Sequence, residues 1–355
     1  MIDWMSYVRQ AVEHQASDLF FVAGGAVCEK LEGRICRMDD NRLMPDQTRQ
    51  VVEGIYRAAG RDMETFLRQG DDDFSFSVPE LARFRVNTYR QRGSMAAVIR
   101  VVSFDIPDWR SWGIPQQVMD LADLTSGLVL VTGTAGSGKS TTQACIIDRI
   151  NNTRACHIVT LEDPIEYLHR HRKSIVSQRE IAIDSKDYLS ALRACLRQAP
   201  DVILLGEMRD AETIHTAITA AETGHMVIAT LHTRGAVNAI DRIIDSFPPA
   251  QQTQIRVQLA AVLRSVVSQQ LLPDKQGDLV PACEIMHATG AIRSLIRDNK
   301  NHQIDSVIAS GGRDGMVSMD QAVLALYRSG RITRETALEF ADNGLQMQRL
   351  LDNSR

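Results

Sequence analysis

The chain has 355 residues, a net charge of −4, and a composition that is 44% hydrophobic and 24% charged. It is therefore long enough for two domains with a sizeable core, and its charge excludes a global basic field of the kind that nucleic acid or acidic lipid would attract. Its six cysteines are scattered without a C-x-x-C pair, which argues against a disulfide framework or a zinc site and fits a reducing cytoplasm.

No apolar run approaches the roughly 18 residues that a membrane span requires. The N-terminus also lacks the basic start and apolar run of a signal peptide. We therefore expect a cytoplasmic protein without a transmembrane segment.

The first hundred residues have the pattern of an α+β domain. In 83-RFRVNTY-89, Phe84 and Val86 alternate with Arg83 and Arg85, as on a strand with one apolar and one polar face. The predicted elements are a first helix, a strand at 19–22, a hairpin at 27–38, a helical stretch from about Pro45 to Leu67, and strands at 74–78, 83–89 and 96–102.

The pattern of apolar residues changes after a stretch that contains Pro107 and Pro115. We interpret residues 105–118 as a linker between a domain at 1–104 and a domain at 119–355. Short apolar runs then alternate with helical segments, a pattern typical of a parallel sheet that is covered on both faces. The predicted strands are 128–132, 158–161, 202–205 and 226–230. From about residue 249 onward the chain is predicted to be entirely helical.

The motif 133-GTAGSGKS-140 follows an apolar strand and opens a helix, which is the context that a phosphate-binding loop needs. Glycines let its backbone N–H groups face a phosphate, Lys139 would reach the β- and γ-phosphates, and the Ser140 hydroxyl would bind Mg²⁺. The sequence therefore predicts binding of ATP and Mg²⁺. The predicted nucleotide-binding residues are Gly133, Thr134, Ala135, Gly136, Ser137, Gly138, Lys139, Ser140 and Thr141.

Hydrolysis also requires an acid that places the attacking water. In 201-DVILLGEMRD-210 the expected Asp at the strand end is replaced by Gly206, and Glu207 follows it. In 158-IVTLEDPIEY-167, Glu162 and Asp163 also follow a strand. Because ligands bind at the carboxyl ends of strands in open α/β sheets, we expect these acids to face the phosphate loop as a divided catalytic set.

Two histidines bracket the strand in 222-ETGHMVIATLHT-233. His225 and His232 have no cysteine or third histidine beside them, so a metal site is not indicated. The residue chemistry leaves two interpretations open: core histidines that are hydrogen-bonded, or sensors of the γ-phosphate.

These motifs together resemble the PilT-like type IV pilus retraction ATPases within the type II/IV secretion ATPase superfamily. The resemblance covers nearly the whole chain. GTAGSGKSTT is similar to the family's Walker A motif, TLEDPIEY to its Asp box, RACLRQAP-DVILLGEMRD to its Walker B motif and ETGHMVIATLHT to its His box. Near the ends, 16-ASDLFF-21 and 291-AIRSLIRD-298 resemble two further family signatures, the second of which is associated with retraction motors.

The resemblance implies an α/β fold with an N-terminal PAS-like domain and a RecA-like P-loop ATPase domain. It also implies a homo-hexamer that acts with an inner-membrane platform protein at the pilus base. In the family the Walker B motif ends in Gly-Glu, so Glu207 carries over as the catalytic acid, Glu162 as an acid that supports water or metal, and His225 and His232 as His-box residues. Arg85 and Arg100 match two arginines that superfamily members place against the phosphates.

The sequence also departs from the family pattern. Phe20-Phe21 replaces a His-Leu pair, and Asp298 stands where the retraction signature has Glu. The chain lacks the four-cysteine motif and the long N-terminal extension of assembly ATPases, which favours retraction over assembly. The sequence leaves open an accessory nucleotide-binding paralogue that assembles with another motor, and a RecA-like translocase on nucleic acid. The acidic pI of about 6.2 opposes the translocase.

Overall fold

The computed structural model describes residues 2–31, 33–102 and 105–352. Residues 1, 104 and 355, at which predicted domain limits fall, lie outside the described residues. Within the described residues the chain divides into two units. The first takes residues up to Asp105 together with Glu166–Leu168, and the second takes Ile106–Ile165 and everything from His169 onward.

The first unit is an antiparallel sheet with helices, and its strands show the alternation of apolar and polar residues seen in the sequence. Phe84 and Val86 are fully buried in its core, whereas Arg83 and Arg85 lie on the other face and are half-buried. The sheet order is β3-β2-β1-β6-β5-β4. Its strands are β1 (Asp18–Phe21), β2 (Cys28–Leu31), β3 (Arg34–Arg37), β4 (Asp71–Val78), β5 (Ala82–Gln91) and β6 (Ser94–Val102). Its helices are α1 (Trp4–Glu13), α2 (Pro45–Ala59) and α3 (Glu64–Gln69).

The predicted helical stretch from Pro45 to Leu67 is two helices. Gly60 ends α2 in the left-handed conformation, with φ of 62°, and satisfies the end of the helix through its backbone N–H. The chain restarts as α3 only after Met63.

The second unit contains a seven-stranded sheet in the order β13-β12-β7-β11-β10-β8-β9. All neighbours are parallel except β12 and β13. The four predicted apolar runs are confirmed as strands, and apolar clusters cover both faces of the sheet. The strands are β7 (Gly127–Thr132), β8 (His157–Glu162), β9 (Ile175–Glu180), β10 (Val202–Leu205), β11 (Met226–Leu231), β12 (Leu263–Pro273) and β13 (Leu279–His287).

Helices of the second unit flank this sheet and form most of the chain's C-terminal part. They are α4 (Trp109–Trp112), α5 (Gln116–Met119), α6 (Lys139–Thr153), α7 (Tyr188–Cys195), α8 (Ala211–Glu222), α9 (Ala236–Asp245), α10 (Pro249–Val262), α11 (Gly290–Arg297), α12 (Ile304–Ser310), α13 (Met319–Arg328), α14 (Arg334–Phe340) and α15 (Gly344–Asp352).

The expectation that the chain is entirely helical beyond residue 249 is wrong, because β12 and β13 lie there. β12 pairs with β7 inside the sheet and is buried along most of its length, including the polar residues Ser265, Ser268 and Gln269. A strand that is buried on both faces shows no apolar–polar alternation, so its period does not distinguish it from a helix.

The stretch interpreted as a linker carries α4 and α5. Ile114 and Val118 are buried in the core of the second unit, where Trp109 and Trp112 also pack. Apolar side chains therefore attach this stretch to the second unit.

Among the described residues, no helix combines the length and the apolar composition needed to cross a membrane.

Candidate functional site

The phosphate-loop motif connects β7 to α6, as predicted. Gly138 precedes the helix with φ of 81°, a conformation that only glycine adopts at little cost. Lys139 is buried, and its Nζ donates hydrogen bonds to the carbonyls of Gly133 and Thr134, at 2.9 and 2.8 Å. The loop thus folds around the lysine ammonium at the N-terminus of α6, where the helix dipole favours an anion.

Close packing against β12 explains two of the loop's glycines. A Cβ atom at Gly133 would lie 2.4 Å from the Gln269 carbonyl oxygen, and one at Gly138 would lie 2.8 Å from Gln269 Nε2. Gln269 Nε2 donates to the Ser137 carbonyl at 2.8 Å, and Gln269 Oε1 accepts from Thr142 Oγ1 at 2.7 Å. The neighbouring strand β12 therefore supports the loop through Gln269.

Two acids lie at the carboxyl ends of adjacent strands. Glu162 ends β8, and its Oε1 accepts from Thr160 Oγ1 at 2.6 Å and from Gln178 Nε2 at 3.3 Å. Glu207 comes two residues after β10, which is the parallel neighbour of β8. The two strand ends meet at one edge of the sheet, so the predicted pair of acids is brought together there.

Glu207 is held by charged and polar side chains on its own edge of the sheet. Its Oε2 lies 2.8 Å from an Arg209 guanidinium nitrogen, and its Oε1 lies 3.6 Å from His232 Nε2. The Glu207 side chain is 18% exposed, against 65% for Arg209 and 51% for His232. The carboxylate is thus partly desolvated, while its partners extend into solvent.

Tyr188, at the start of α7, lies among these acids. Burial raises the pKa of its phenol, and the nearby carboxylates of Asp163, Glu207 and Glu162 raise it further. The same tyrosine explains the glycine before Glu207. A Cβ at Gly206 would lie 2.8 Å from the Tyr188 hydroxyl and 3.3 Å from the Cα of Glu162. A side chain at Gly206 would therefore require Tyr188 and the adjoining backbone to move, so this position does not carry a carboxylate ligand in the arrangement seen here.

The two predicted histidines lie at opposite ends of β11. His232 follows the strand at the carboxyl edge, beside Glu207. His225 precedes the strand, and its Nδ1 lies 2.9 Å from the Ala220 carbonyl oxygen and 3.2 Å from Thr223 Oγ1. At about 3.3 Å per residue, the seven steps along the chain separate the two histidines by about 23 Å. The chain therefore brings His232 to the acids and leaves His225 at the far edge.

Arg85 and Arg100 belong to the first unit, where they face each other directly on β5 and β6. Arg100 Nε donates to Asp18 Oδ1 at 2.9 Å, and the Arg100 side chain is 62% exposed. The predicted arginine pair is thus adjacent on one face of the antiparallel sheet.

The residues present at the sheet edge fit a phosphate group and Mg²⁺. Glycines shape the loop, Lys139 supplies a buried ammonium, and Ser140 and Glu162 supply the hydroxyl and carboxylate oxygens that Mg²⁺ prefers. The Ser137 hydroxyl is buried without a hydrogen-bond partner within the described part of the chain, as a group of a phosphate-binding loop would be.

Three contributors were missed by sequence reasoning: Gln269, Tyr188 and Arg209. Arg209 follows Glu207 by two residues, but the sequence did not indicate that its guanidinium pairs with the Glu207 carboxylate. Gln269 lies within a segment that was predicted to be helical, and nothing in 263-LRSVVSQQLLP-273 by itself indicated its contact with the loop.

The family model and the related proteins that match this chain agree with one another. The model of the family "Type II/IV secretion system protein" matches residues 2–343. The chain is 44% identical to the type IV pilus retractation ATPase PilT of Pseudomonas aeruginosa, over 92% of this chain and 94% of that protein. It is 36% identical to the type IV pilus ATPase PilU of the same organism, over 99% of this chain and 91% of that protein.

Among solved structures, the fold is similar to that of the pilus retraction motor PilT with bound ADP. The TM-score is 0.90 at 42% identity, and the match covers 98% of this chain and all of that one. The X-ray structure of the Legionella pneumophila ATPase DotB is more distant, with a TM-score of 0.75 at 26% identity and 94% of each chain covered.

Proposed function

This chain is a member of the type II/IV secretion system protein family, and we propose that it is an ATPase motor that powers retraction of a type IV pilus. The observation that carries the proposal is the joint position of the phosphate loop, Glu162 and Glu207 at the carboxyl edge of one parallel sheet. The 44% identity to a retractation ATPase over nearly the whole chain supports it.

Each residue of the edge has a physical task in hydrolysis. Residues 133–141 and the N-terminus of α6 bind the phosphates, and the Lys139 ammonium neutralises their charge. Glu207 accepts a hydrogen bond from the attacking water and polarises it towards the terminal phosphorus. His232 and Arg209 orient the Glu207 carboxylate.

Magnesium fits the same edge. Ser140 would hold Mg²⁺ directly, and Glu162 would do so directly or through water. When bound, the ion neutralises charge on the phosphate oxygens.

The arginine pair of the first unit would complete the nucleotide site. Arg85 and Arg100 present two guanidinium groups side by side, an arrangement that suits a phosphate. Arginines that meet the transferring phosphate are worth about 10³ to 10⁵ in rate for related enzymes. In a homo-hexameric ring, we expect a neighbouring chain to supply the pair.

The proposal extends to domains and location. Residues 1–104 form a PAS-like domain and residues 119–355 a RecA-like domain, joined by 105–118. The motor is cytoplasmic, peripheral at the inner-membrane base of the pilus, and works with a platform protein and with other pilus ATPases. We do not expect this motor to bind or move along nucleic acid.

Hydrolysis by the purified chain alone separates this proposal from an accessory paralogue that only binds nucleotide. The intact pair Glu162 and Glu207 favours hydrolysis. Retraction is then tested in a pilus-bearing cell that lacks its own retraction motor. The wild-type chain should restore pilus withdrawal, and Lys139→Ala should not. An active ATPase that fails to restore withdrawal would contradict the retraction role while leaving the enzymatic one.

A further inference from the structure

Gln269 touches the beginning, the middle and the end of the phosphate-loop region. It lies on β12, one residue beyond Ser268, whose register partner is Thr132 at the end of β7. Its Nε2 donates to the Ser137 carbonyl and its Oε1 accepts from Thr142 Oγ1, while its own carbonyl oxygen faces Gly133. With 1% of its surface exposed, Gln269 makes these contacts away from solvent.

Such an arrangement fixes the loop because each bond is costly to lose. Removing the amide would leave the Ser137 carbonyl or the Thr142 hydroxyl buried without a partner. A loop rich in glycine has many alternative backbone conformations, so a support that selects one of them reduces the ordering needed when phosphate binds. A loss of Gln269 would therefore be felt in nucleotide affinity through the shape of the loop.

The same strand continues into another part of the unit. Leu272, three residues further along β12, belongs to the apolar cluster that joins Val280 and Ala282 of β13 to Met319 and Val323 of α13. β12 and β13 are paired over nine register positions, from Ser265 to Pro273. Because the two strands are hydrogen-bonded over this length, a shift of β12 at the phosphate loop would also move the helices that pack on the pair.

We propose that Gln269 is a positioning residue that sets the shape of the phosphate loop and couples nucleotide binding to the C-terminal helices packed on β12 and β13. This inference rests on the proposed function only in taking nucleotide as the ligand. Its ligand is a nucleoside di- or triphosphate at the loop already described. Its new content is a connection from that loop to α13, polar from the loop to Gln269 and apolar from Leu272 onward.

The first test compares the same substitution at two neighbouring residues. Gln269→Met keeps the volume and removes both hydrogen bonds. Gln270→Met makes the identical change at the next position of β12, which is half-buried on the opposite face. Binding of fluorescent ADP is the readout. We expect Gln269→Met to weaken affinity about tenfold and Gln270→Met to change it less than about twofold. Steady-state kinetics should show a larger change in KM for ATP than in kcat.

Thr142 supplies an independent pair of variants should Gln269→Met fail to fold. Thr142→Val removes the donor to Gln269 Oε1, and Thr142→Ser restores it. ADP affinity should fall for the valine variant and recover for serine. The double variant Gln269→Met with Thr142→Val should lose less than the product of the two single losses, because both remove the same bond.

Hydrogen exchange tests the coupling. ADP should slow amide exchange in β12, β13 and α13 of the wild type and not of Gln269→Met. Equal ADP affinity in all of these variants would overturn the positioning role, and equal protection of α13 in Gln269→Met would overturn the coupling. Because ADP binding is measured without turnover, a chain that binds ADP but does not hydrolyse ATP would contradict the proposed function and leave this inference standing.

Discussion

The two edges of the seven-stranded sheet carry the same types of residue in different arrangements. At the amino edge, Asp201 Oδ2 accepts from the His157 backbone N–H at 2.8 Å, and His225 Nδ1 lies 2.9 Å from a backbone carbonyl. At the carboxyl edge, Glu207 pairs with the side chains of Arg209 and His232. Asp201 and His225 at the amino edge thus contact backbone groups, whereas Glu207 and His232 at the carboxyl edge contact each other.

This contrast predicts which polar groups of the sheet stabilise the fold and which contribute to turnover. A side chain that is hydrogen-bonded to a backbone group has a fixed partner, so it has little freedom to contact a substrate. One that is held only by other side chains, on a partly exposed edge, can exchange a partner for a ligand. If this rule holds, substitutions at the carboxyl edge should change turnover, and those at the amino edge should change only stability.

The largest effect is expected at Glu207. Glu207→Gln keeps the shape of the side chain and removes the carboxylate, so turnover of ATP should fall by about 10² to 10⁴ while ADP still binds. Asp201→Asn at the amino edge is the matched control, since its amide oxygen can still accept from His157. Initial rates of phosphate release and ADP titration give both quantities. Normal turnover by Glu207→Gln would remove Glu207 from the mechanism.

Gly206 gives the second prediction. An Asp at this position would resemble the metal ligand of other P-loop enzymes, yet its Cβ would collide with Tyr188 and crowd the backbone of Glu162. We therefore expect Gly206→Asp to lower kcat by about 10²-fold through misplacement of Glu207 and Glu162. Gly290→Ala is the control, because a Cβ at Gly290 meets no atom within 4 Å. Unchanged or higher activity of Gly206→Asp would show that this edge accepts an additional ligand.

The two histidines make the comparison sharpest. His232→Ala removes a neighbour of the Glu207 carboxylate, and we expect kcat to fall about tenfold with thermal stability nearly unchanged. His225→Ala removes a ring nitrogen from the Ala220 carbonyl, and we expect a loss of about 1 kcal/mol in the free energy of unfolding with kcat retained. Reversed outcomes would place the functional histidine at the amino edge and contradict the rule.

Some of this site could be predicted from the sequence, and the reasons are local. The phosphate loop is contiguous, and the flanking run 128-LVLVT-132 and the following helix confirm its context. Glu162 and Glu207 could be placed because they follow apolar runs that form parallel strands. Parallel strands in one sheet bring their carboxyl ends together whatever their order, so no knowledge of distant contacts was needed.

The part of the site that could not be predicted depends on contacts between residues far apart in the chain. Gln269 supports a loop that lies more than a hundred positions before it, and Tyr188 fills the space beside Gly206. The separation of His225 from His232 follows from β11 lying between them, which the residue types do not reveal. β12 and β13 were missed because strands buried on both faces lack the alternation by which strands are recognised.

Glu284 provides the last and smallest prediction, and it limits the rule. It lies on β13 opposite Ser268, at the level of the phosphate loop, but its Oε1 accepts from the Ala236 N–H at 2.7 Å. Glu284 therefore belongs with the structural side chains, although it lies at the carboxyl edge of the sheet. Burial raises its pKa from an ordinary value of 4.5 to about 7. Asp342 and Asp305 add to this, whereas the backbone N–H groups of Ala236 and Met319 oppose it.

The sign of the effect follows from proton binding. Between pH of about 4.5 and about 7 the folded protein keeps a proton that the unfolded chain has lost, so stability falls as pH rises through this window. Glu284→Gln removes the titration, and the midpoint of thermal unfolding should rise by a few degrees, about 5 °C, at pH 8 and by much less at pH 5. Glu339→Gln, at an exposed position of α14, should show no such difference between the two pH values. Because Glu284 is bonded to backbone, kcat at pH 8 should stay near that of the wild type. A loss of turnover comparable to that of Glu207→Gln would mean that position at the edge, rather than the hydrogen-bond partner, decides which acids are catalytic.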